Sequence, residues 1–266
     1  MKSALRLTLV STLFVFSLIT TSTAWTFVLP LDFVVKKSVA KTGRTSISID
    51  QEVTFKVGKD TLKTQENWLI EGDRNLKVSA TGLEPFKENV KVNSLFNSKQ
   101  KTQIIGKTKS QSPVGHDFYQ RLMFVRSSDS FMQYIRELGI SEKTRLSKAE
   151  GRICIAIGDS SQGDSKSPQI WIDQDDFLIR KIRMPSGTEI NLSDYVKAGD
   201  DFWIAKTQTI KWAGATATIK VKSFSTKNAA TITQFYPQNF EQPTELAFNE
   251  ASSIAQVVED FYKRFR

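Results

Sequence analysis

The sequence predicts a mainly β protein with a few short helices, its strands forming an antiparallel sheet of the sandwich or barrel kind. Three observations carry this. Apolar and polar residues alternate through most of the chain, with turn residues at short intervals. Only three short stretches show the three-to-four-residue apolar spacing of a helix. The 266 residues include one His and one Cys, so no intrachain disulfide is available and the fold stands on its apolar core.

The elements follow in order. Met1–Arg6 carries Lys2 and Arg6, Leu7–Ile19 is an apolar run, and "TTSTA" places Ser22 and Ala24 at the small-residue positions before a signal-peptidase cut. Residues 1–24 therefore read as a signal peptide, and residues 25–266 as a single domain. The apolar run is shorter than the roughly 20 residues of a membrane span. Hydrophobicity continues through "WTFVLPLDFVV", which keeps an uncleaved anchor as the competing reading, against which Pro30 and Asp32 argue. Pro30–Lys41 spaces Leu31, Val34, Val35 and Ser38 on one helical face, with Gly43 to end it. Then Ile47, Ile49, Val53, Phe55 and Val57 share one parity of "TSISIDQEVTFKV", as in a half-buried strand. Gly58-Lys59 and Gly72-Asp73 turn the chain through "TLKTQENWLIEG" into "RNLKVSATG".

The meander continues through "NVKVNSLF", "KTQIIGK" and "HDFYQRLMFV". A helix interrupts it at "SSDSFMQYIRELG", where Ser128 can cap, Phe131, Ile135 and Leu138 form a stripe, and Gly139 stops the turn. Strand-like segments resume at "TRLSKAEG" and run to "ATITQFY", for about eleven strands in all. The chain closes with a helix at about residues 250–265. There Ile254, Val257, Val258, Phe261, Tyr262 and Phe265 make an apolar stripe opposite Gln256, Glu259, Asp260, Lys263 and Arg264.

Chemistry-bearing motifs are few. Gly158-Asp159-Ser160 could open a serine-hydrolase motif, but the only histidine, His116, precedes it with no Asp at the spacing such enzymes use. The run from Gly158 to Ser167 is rich in turn residues and reads as a strand connection. "DQDD" at Asp173–Asp176 lacks the Gly and closing Glu of a calcium loop and reads as a hairpin turn. Cys154, within "RICIAIG", reads as core. No phosphate loop or dinucleotide fingerprint is present, and no enzyme activity, cofactor or metal is expected. The formal net charge of +9 favours anionic partners, yet no Lys/Arg run is dense enough for a nucleic-acid arm.

Several phrases together carry a resemblance: "NWLIEGDRNLKV", the mid-chain helix ending in Gly139, "GRICIAIG…SPQIWIDQDDFLIRKI" and "INLSDYVKAGDDFWIAKTQTI". Over roughly residues 30–248 the chain resembles the outer-membrane lipoprotein carrier superfamily, the LolA/LolB-like and lipoprotein-sorting proteins. The resemblance implies an unclosed, curved antiparallel β-barrel with helices over its concave face, an apolar cup that holds acyl chains. It implies a periplasmic carrier that binds lipid or lipoprotein acyl chains and shuttles or sorts them towards the outer membrane, with an inner-membrane transporter or other envelope proteins as partners and peripheral contact with an anionic membrane surface. Under it, Trp68, Ile70, Leu76, Val78, Trp171 and Phe202 are expected to line the cavity. Phe131, Ile135 and Leu138 are expected to face it as a lid, and Arg74 to stand at its mouth. The same fold also serves a second reading, a membrane-tethered envelope sensor or accessory interaction protein.

Overall fold

The computed structural model describes residues 28–43, 46–72, 74–97, 99–115, 117–160, 167–199, 202–226, 232–248 and 252–266. The predicted leader and His116 lie outside these residues. Alternation of apolar and polar side chains produces strands that cannot bury one face alone, and here they join into a single sheet of fourteen. The strands are β1 (Ile47–Val57), β2 (Asp60–Glu71), β3 (Asn75–Gly82), β4 (Val90–Asn97), β5 (Gln100–Ile105), β6 (Thr108–Pro113), β7 (Thr144–Ala149), β8 (Arg152–Ile157), β9 (Gln169–Asp173), β10 (Ile179–Arg183), β11 (Glu189–Lys197), β12 (Trp203–Trp212), β13 (Ala215–Ser225) and β14 (Pro243–Leu246). The helices are α1 (Leu31–Val39), α2 (Gln120–Phe124), α3 (Ser128–Glu137) and α4 (Ser253–Phe265).

Strands run in the order β6-β5-β14-β4-β3-β2-β1-β13-β12-β11-β10-β9-β8-β7, so the sheet curls without closing and leaves β6 and β7 at its two edges. Its middle is the long β1–β2 hairpin, registered Gln51↔Glu66 and Phe55↔Leu62, with β13 on the far side of β1. A register shift at Asp50/Gln51 and another at Ile179/Lys181 bend it locally. β4 and β5 pair only near their turn, from Leu95↔Thr102 to Asn97↔Gln100. Beyond that they splay, and β14 is wedged between them, antiparallel to β4 and parallel to β5.

The expectation of about eleven strands is corrected to fourteen among the described residues. Two segments expected as strands are helical: "HDFYQRLMFV" contains α2, and "ATITQFY" contains a 3-10 turn at Ile232–Phe235. Two strands went unseen. β6, "TKSQSP", is exposed throughout and has no apolar residue to mark a buried face. β14 is four residues long and exists because neighbouring strands part to receive it. The cap of α3 is Ser127, not Ser128: its Oγ accepts from the Ser130 amide at 3.1 Å. Gly139 does end that helix, at φ 66°, with the Ile140 amide donating to Ile135 O at 2.9 Å.

Gly158 and Asp159 have structural roles, and residues 161–166 of the predicted connection lie outside the described residues. Gly158 has φ 132°, and a Cβ there would sit 2.6 Å from Gln169 Cγ and 2.8 Å from Pro168 O. Asp159 pairs with Lys143 at 2.9 Å. Asp173 takes bonds from the Asp175 amide at 2.9 Å, Arg152 at 2.8 Å and Arg180 at 3.0 Å, which fixes the turn between β9 and β10. Gly158→Ala is expected to destabilise the protein by roughly 1–3 kcal/mol. Ser160→Ala should stay within about 0.5 kcal/mol of the parent. Urea unfolding of both variants checks the pair, and an equal effect would contradict the structural role of Gly158.

Candidate functional site

The concave face is apolar at both ends and polar across its waist. At one end, Val53, Phe55, Leu62, Ala80, Val90, Val92, Ile210, Trp212 and Ile219 pack with the buried faces of all four helices. At the other, Ile47, Ile49, Trp68, Ile70, Leu76, Val78 and Phe96 pack with Phe118, Phe124, Phe202 and Ile204. Between them the same inward parity carries Gln51, Thr64, Glu66 and Gln208, all buried. A strand contributes a side chain to this face at every second residue, so the neighbours β1 and β2, and β12 on the other side of β13, set polar groups at one level of it.

Helix α4 lies in the cup and satisfies that waist. Ser252 caps it, accepting from the Ala255 amide at 3.3 Å. Phe261 meets Phe55 edge-on at 4.9 Å and Trp212 at 5.7 Å, while Phe265 meets Trp212 at 5.4 Å. Tyr262 OH and Thr64 Oγ1 are 2.7 Å apart, and Trp212 Nε1 donates to Asp260 at 2.7 Å. The helix then delivers Arg266 onto Glu66. Both side chains are fully buried, and Arg266 Nε donates to both Glu66 oxygens at 3.2 Å. Glu66 also accepts from Gln51 Nε2 at 2.7 Å and Trp68 Nε1 at 2.9 Å. The guanidinium lies 4.6 Å from the Trp68 ring and 4.8 Å from that of Phe261. Burial works against the charge of Arg266, yet the Glu66 carboxylate and the Tyr119 and Tyr262 oxygens hold its pKa above the ordinary value.

The predicted cavity residues are therefore largely packed. Trp68, Ile70, Leu76, Val78 and Phe202 share one cluster, with about 30 Å³ free beside Trp68 and about 20 Å³ beside Ile70 and Leu76. Phe131, Ile135 and Leu138 sit in the larger cluster with α1 and α4. Trp171 does not join either. Ile170 and Ile172 point into the cup, so alternation sends Trp171 to the opposite face, with Ala149, Cys154 and Ala156. There Lys181 and Arg183 cover it at 5.3 and 5.1 Å. Burial pushes the neighbouring Cys154 thiol up to about 11, which keeps it un-ionised at neutral pH. Arg74 borders a polar recess of about 250 Å³ with Lys99, Arg121 and Glu137.

The open space lies elsewhere. Where β14 parts β4 from β5, a chamber of about 610 Å³ runs between those strands and α4. Its walls are Val92 and Phe96 of β4, Ile105 of β5, Val114, Phe118, Leu246, and the α4 residues Tyr262 and Phe265. Phe96 and Phe118 stack at 4.4 Å and form the partition between the chamber and the packed Trp68 cluster. A buried lysine also lines it: Lys101, only 8% exposed, donates to Tyr262 O at 3.4 Å and lies 5.9 Å from the Phe96 ring. Burial, reinforced by Arg266, lowers its pKa to about 8. Sequence reading missed this residue, although the parity of "KTQII" places Lys101, Gln103 and Ile105 on one side of β5.

The sequence matches no protein-family model and no curated protein. Solved structures do resemble it. An outer membrane lipoprotein-sorting protein domain from Vibrio parahaemolyticus superposes with TM-score 0.53 at 9% identity, covering 79% of this chain and 97% of that one. A LolA superfamily protein from Nitrosomonas europaea gives TM-score 0.54 at 9% identity, over 79% and 98%. The fold is LolA-like.

Glu66→Gln leaves Arg266 buried without a counter-charge and is expected to cost about 3–5 kcal/mol, read from the urea midpoint. Lys101→Met is expected to stabilise the empty protein, by on the order of 2 kcal/mol at neutral pH. The sign follows from the lysine's lowered folded pKa. Between about pH 8 and the ordinary lysine range the unfolded chain binds more protons, so parent stability rises with pH there. The advantage of Lys101→Met should accordingly be full below pH 8 and shrink above it, which paired melts across that range would show.

Proposed function

We propose that the protein is an envelope lipid carrier that holds an acyl chain of a lipid or lipoprotein in the chamber between α4 and the splayed strands. The observation that carries this reading is the chamber itself: about 610 Å³, in which Val92, Phe96, Val114, Phe118, Leu246 and Phe265 offer apolar surface beside polar and charged side chains, on the concave face of a LolA-like sheet. That volume falls within the range of about 300–1,000 Å³ common for small-molecule sites. Each methylene moved from water into such a space contributes ~0.8 kcal/mol, so affinity needs apolar area and few polar contacts. Ile105, 60% exposed at the chamber wall, is the kind of surface a bound chain would cover. Trp68, Ile70, Leu76, Val78 and Phe202 would extend the site only if Phe118 and Phe124 moved aside.

In this reading residues 1–24 direct export and are removed, residues 25–266 work in the periplasm, and the basic surface favours anionic headgroups. Cargo would pass towards the outer membrane, received from an inner-membrane transporter or another envelope protein. One observation favours a second reading, a tethered sensor or accessory protein: α4 fills much of the cup that a carrier would keep open.

Native mass spectrometry with lipid extraction, on full-length protein exported and purified without detergent, tests the proposal. One acylated molecule per chain is the expected result, with a mature start at Trp25. A bare protein mass, with no later uptake of a fluorescent fatty acid, would overturn the carrier reading. A retained leader on a lipid-free protein would favour the sensor.

A further inference from the structure

We propose that the chamber selects a single-chain amphiphile with an anionic head, and that Lys101 reads the head. This rests on the lipid-binding reading above and adds the class of ligand. Lys101 lines the chamber from the inner side of β5, beside the apolar side chains of Val92, Phe96, Phe118, Leu246 and Phe265. No carboxylate among the described residues pairs with it; its polar contact is a long one to the Tyr262 carbonyl. A buried ammonium without a counter-charge is costly, and in a folded protein such groups are ordinarily paired.

The remaining charges around the chamber do not supply the missing partner. On α4, Arg266 is held by Glu66 and Arg264 by Asp117 at 3.1 Å and Asp260 at 3.4 Å. Lys263 and Glu259 are exposed on the same helix. From β5 and β14 the other polar neighbours, Gln103 and Thr244, are uncharged. Arg266 also borders the chamber, but its Nη2 is buried away from the open space, which leaves Lys101 as the group that would read the head. A carboxylate or phosphate at Lys101 would meet its ammonium, while a single acyl chain followed the apolar wall towards Val92, Leu246 and Ile105. The lysine's lowered pKa agrees, since a bound anion would supply the charge that burial and Arg266 deny it.

The test is calorimetric titration of the intact protein with monomeric hexadecanoate, palmitoyl lysophosphatidate and hexadecanol. A charge-assisted hydrogen bond is worth about 10- to 100-fold in affinity, and the anions should exceed the alcohol by that factor. The preference should vanish in Lys101→Met and persist in Lys101→Arg, and the tighter of the two anions identifies carboxylate or phosphate as the source. Equal binding of acid and alcohol by the parent protein would overturn the head-group assignment while leaving the carrier reading intact. No binding of any of the three would overturn both. The parent comparison decides the matter even if a variant fails to fold.

Discussion

The interior is organised around one buried carboxylate. Glu66 sits on β2 at the centre of the sheet and accepts from its cross-strand neighbour Gln51, from Trp68 two residues along, and from Arg266 at the end of α4. A buried ion pair of this kind adds little net stability compared with apolar residues of equal volume. What it does is fix position. Hydrophobic burial alone would let the apolar stripe of α4 slide or rotate along the cup, since Phe55, Trp212 and Leu62 offer a broad apolar surface. A charge that must meet Glu66 permits one register. Tyr262 on Thr64 and Asp260 on Trp212 reinforce the same placement.

That placement decides where free volume remains. In a curved sheet with an apolar inner face, the obvious site for a ligand is the deepest part, and here that part is occupied by the protein's own helix and by the Phe118, Phe124 and Phe202 rings. Space persists at the flank because β14 enters between β4 and β5 and holds them apart. The chamber and the wedge are therefore one feature, and the chamber inherits its width from backbone pairing rather than from side chains that could rotate into it.

Much of the fold was legible in the sequence, because a period of two and a period of 3.6 are both consequences of burying one face. β1 and α4 show this most clearly. The failures have a common cause: in each, tertiary surroundings overrode a local pattern. "HDFYQRLMFV" and "ATITQFY" have the aromatic and β-branched content of strands, yet Phe118 and Phe235 serve as plugs against opposite faces of β4, stacking on Phe96 and packing with Leu95. β6 and β14 lack any periodic signal. Trp171 was misplaced because both faces of β9 are buried, so its aromatic character said nothing about which face it took. Lys101 was missed for the converse reason: a lysine in a strand reads as solvent-facing until the neighbouring helix is known to cover it.

The pairing of Glu66 with Arg266 spans 200 residues of sequence, and that of Thr64 with Tyr262 spans 198. Contacts so distant along the chain carry a larger loop-closure entropy than the local hairpins, which favours the hairpins forming first. The β1–β2 hairpin can thus exist for a time with its polar waist unsatisfied and its apolar ends open to solvent. During that interval the nascent sheet offers an interior far larger than the finished molecule retains. The order of assembly, more than the final shape, sets how long so much sticky surface is on display.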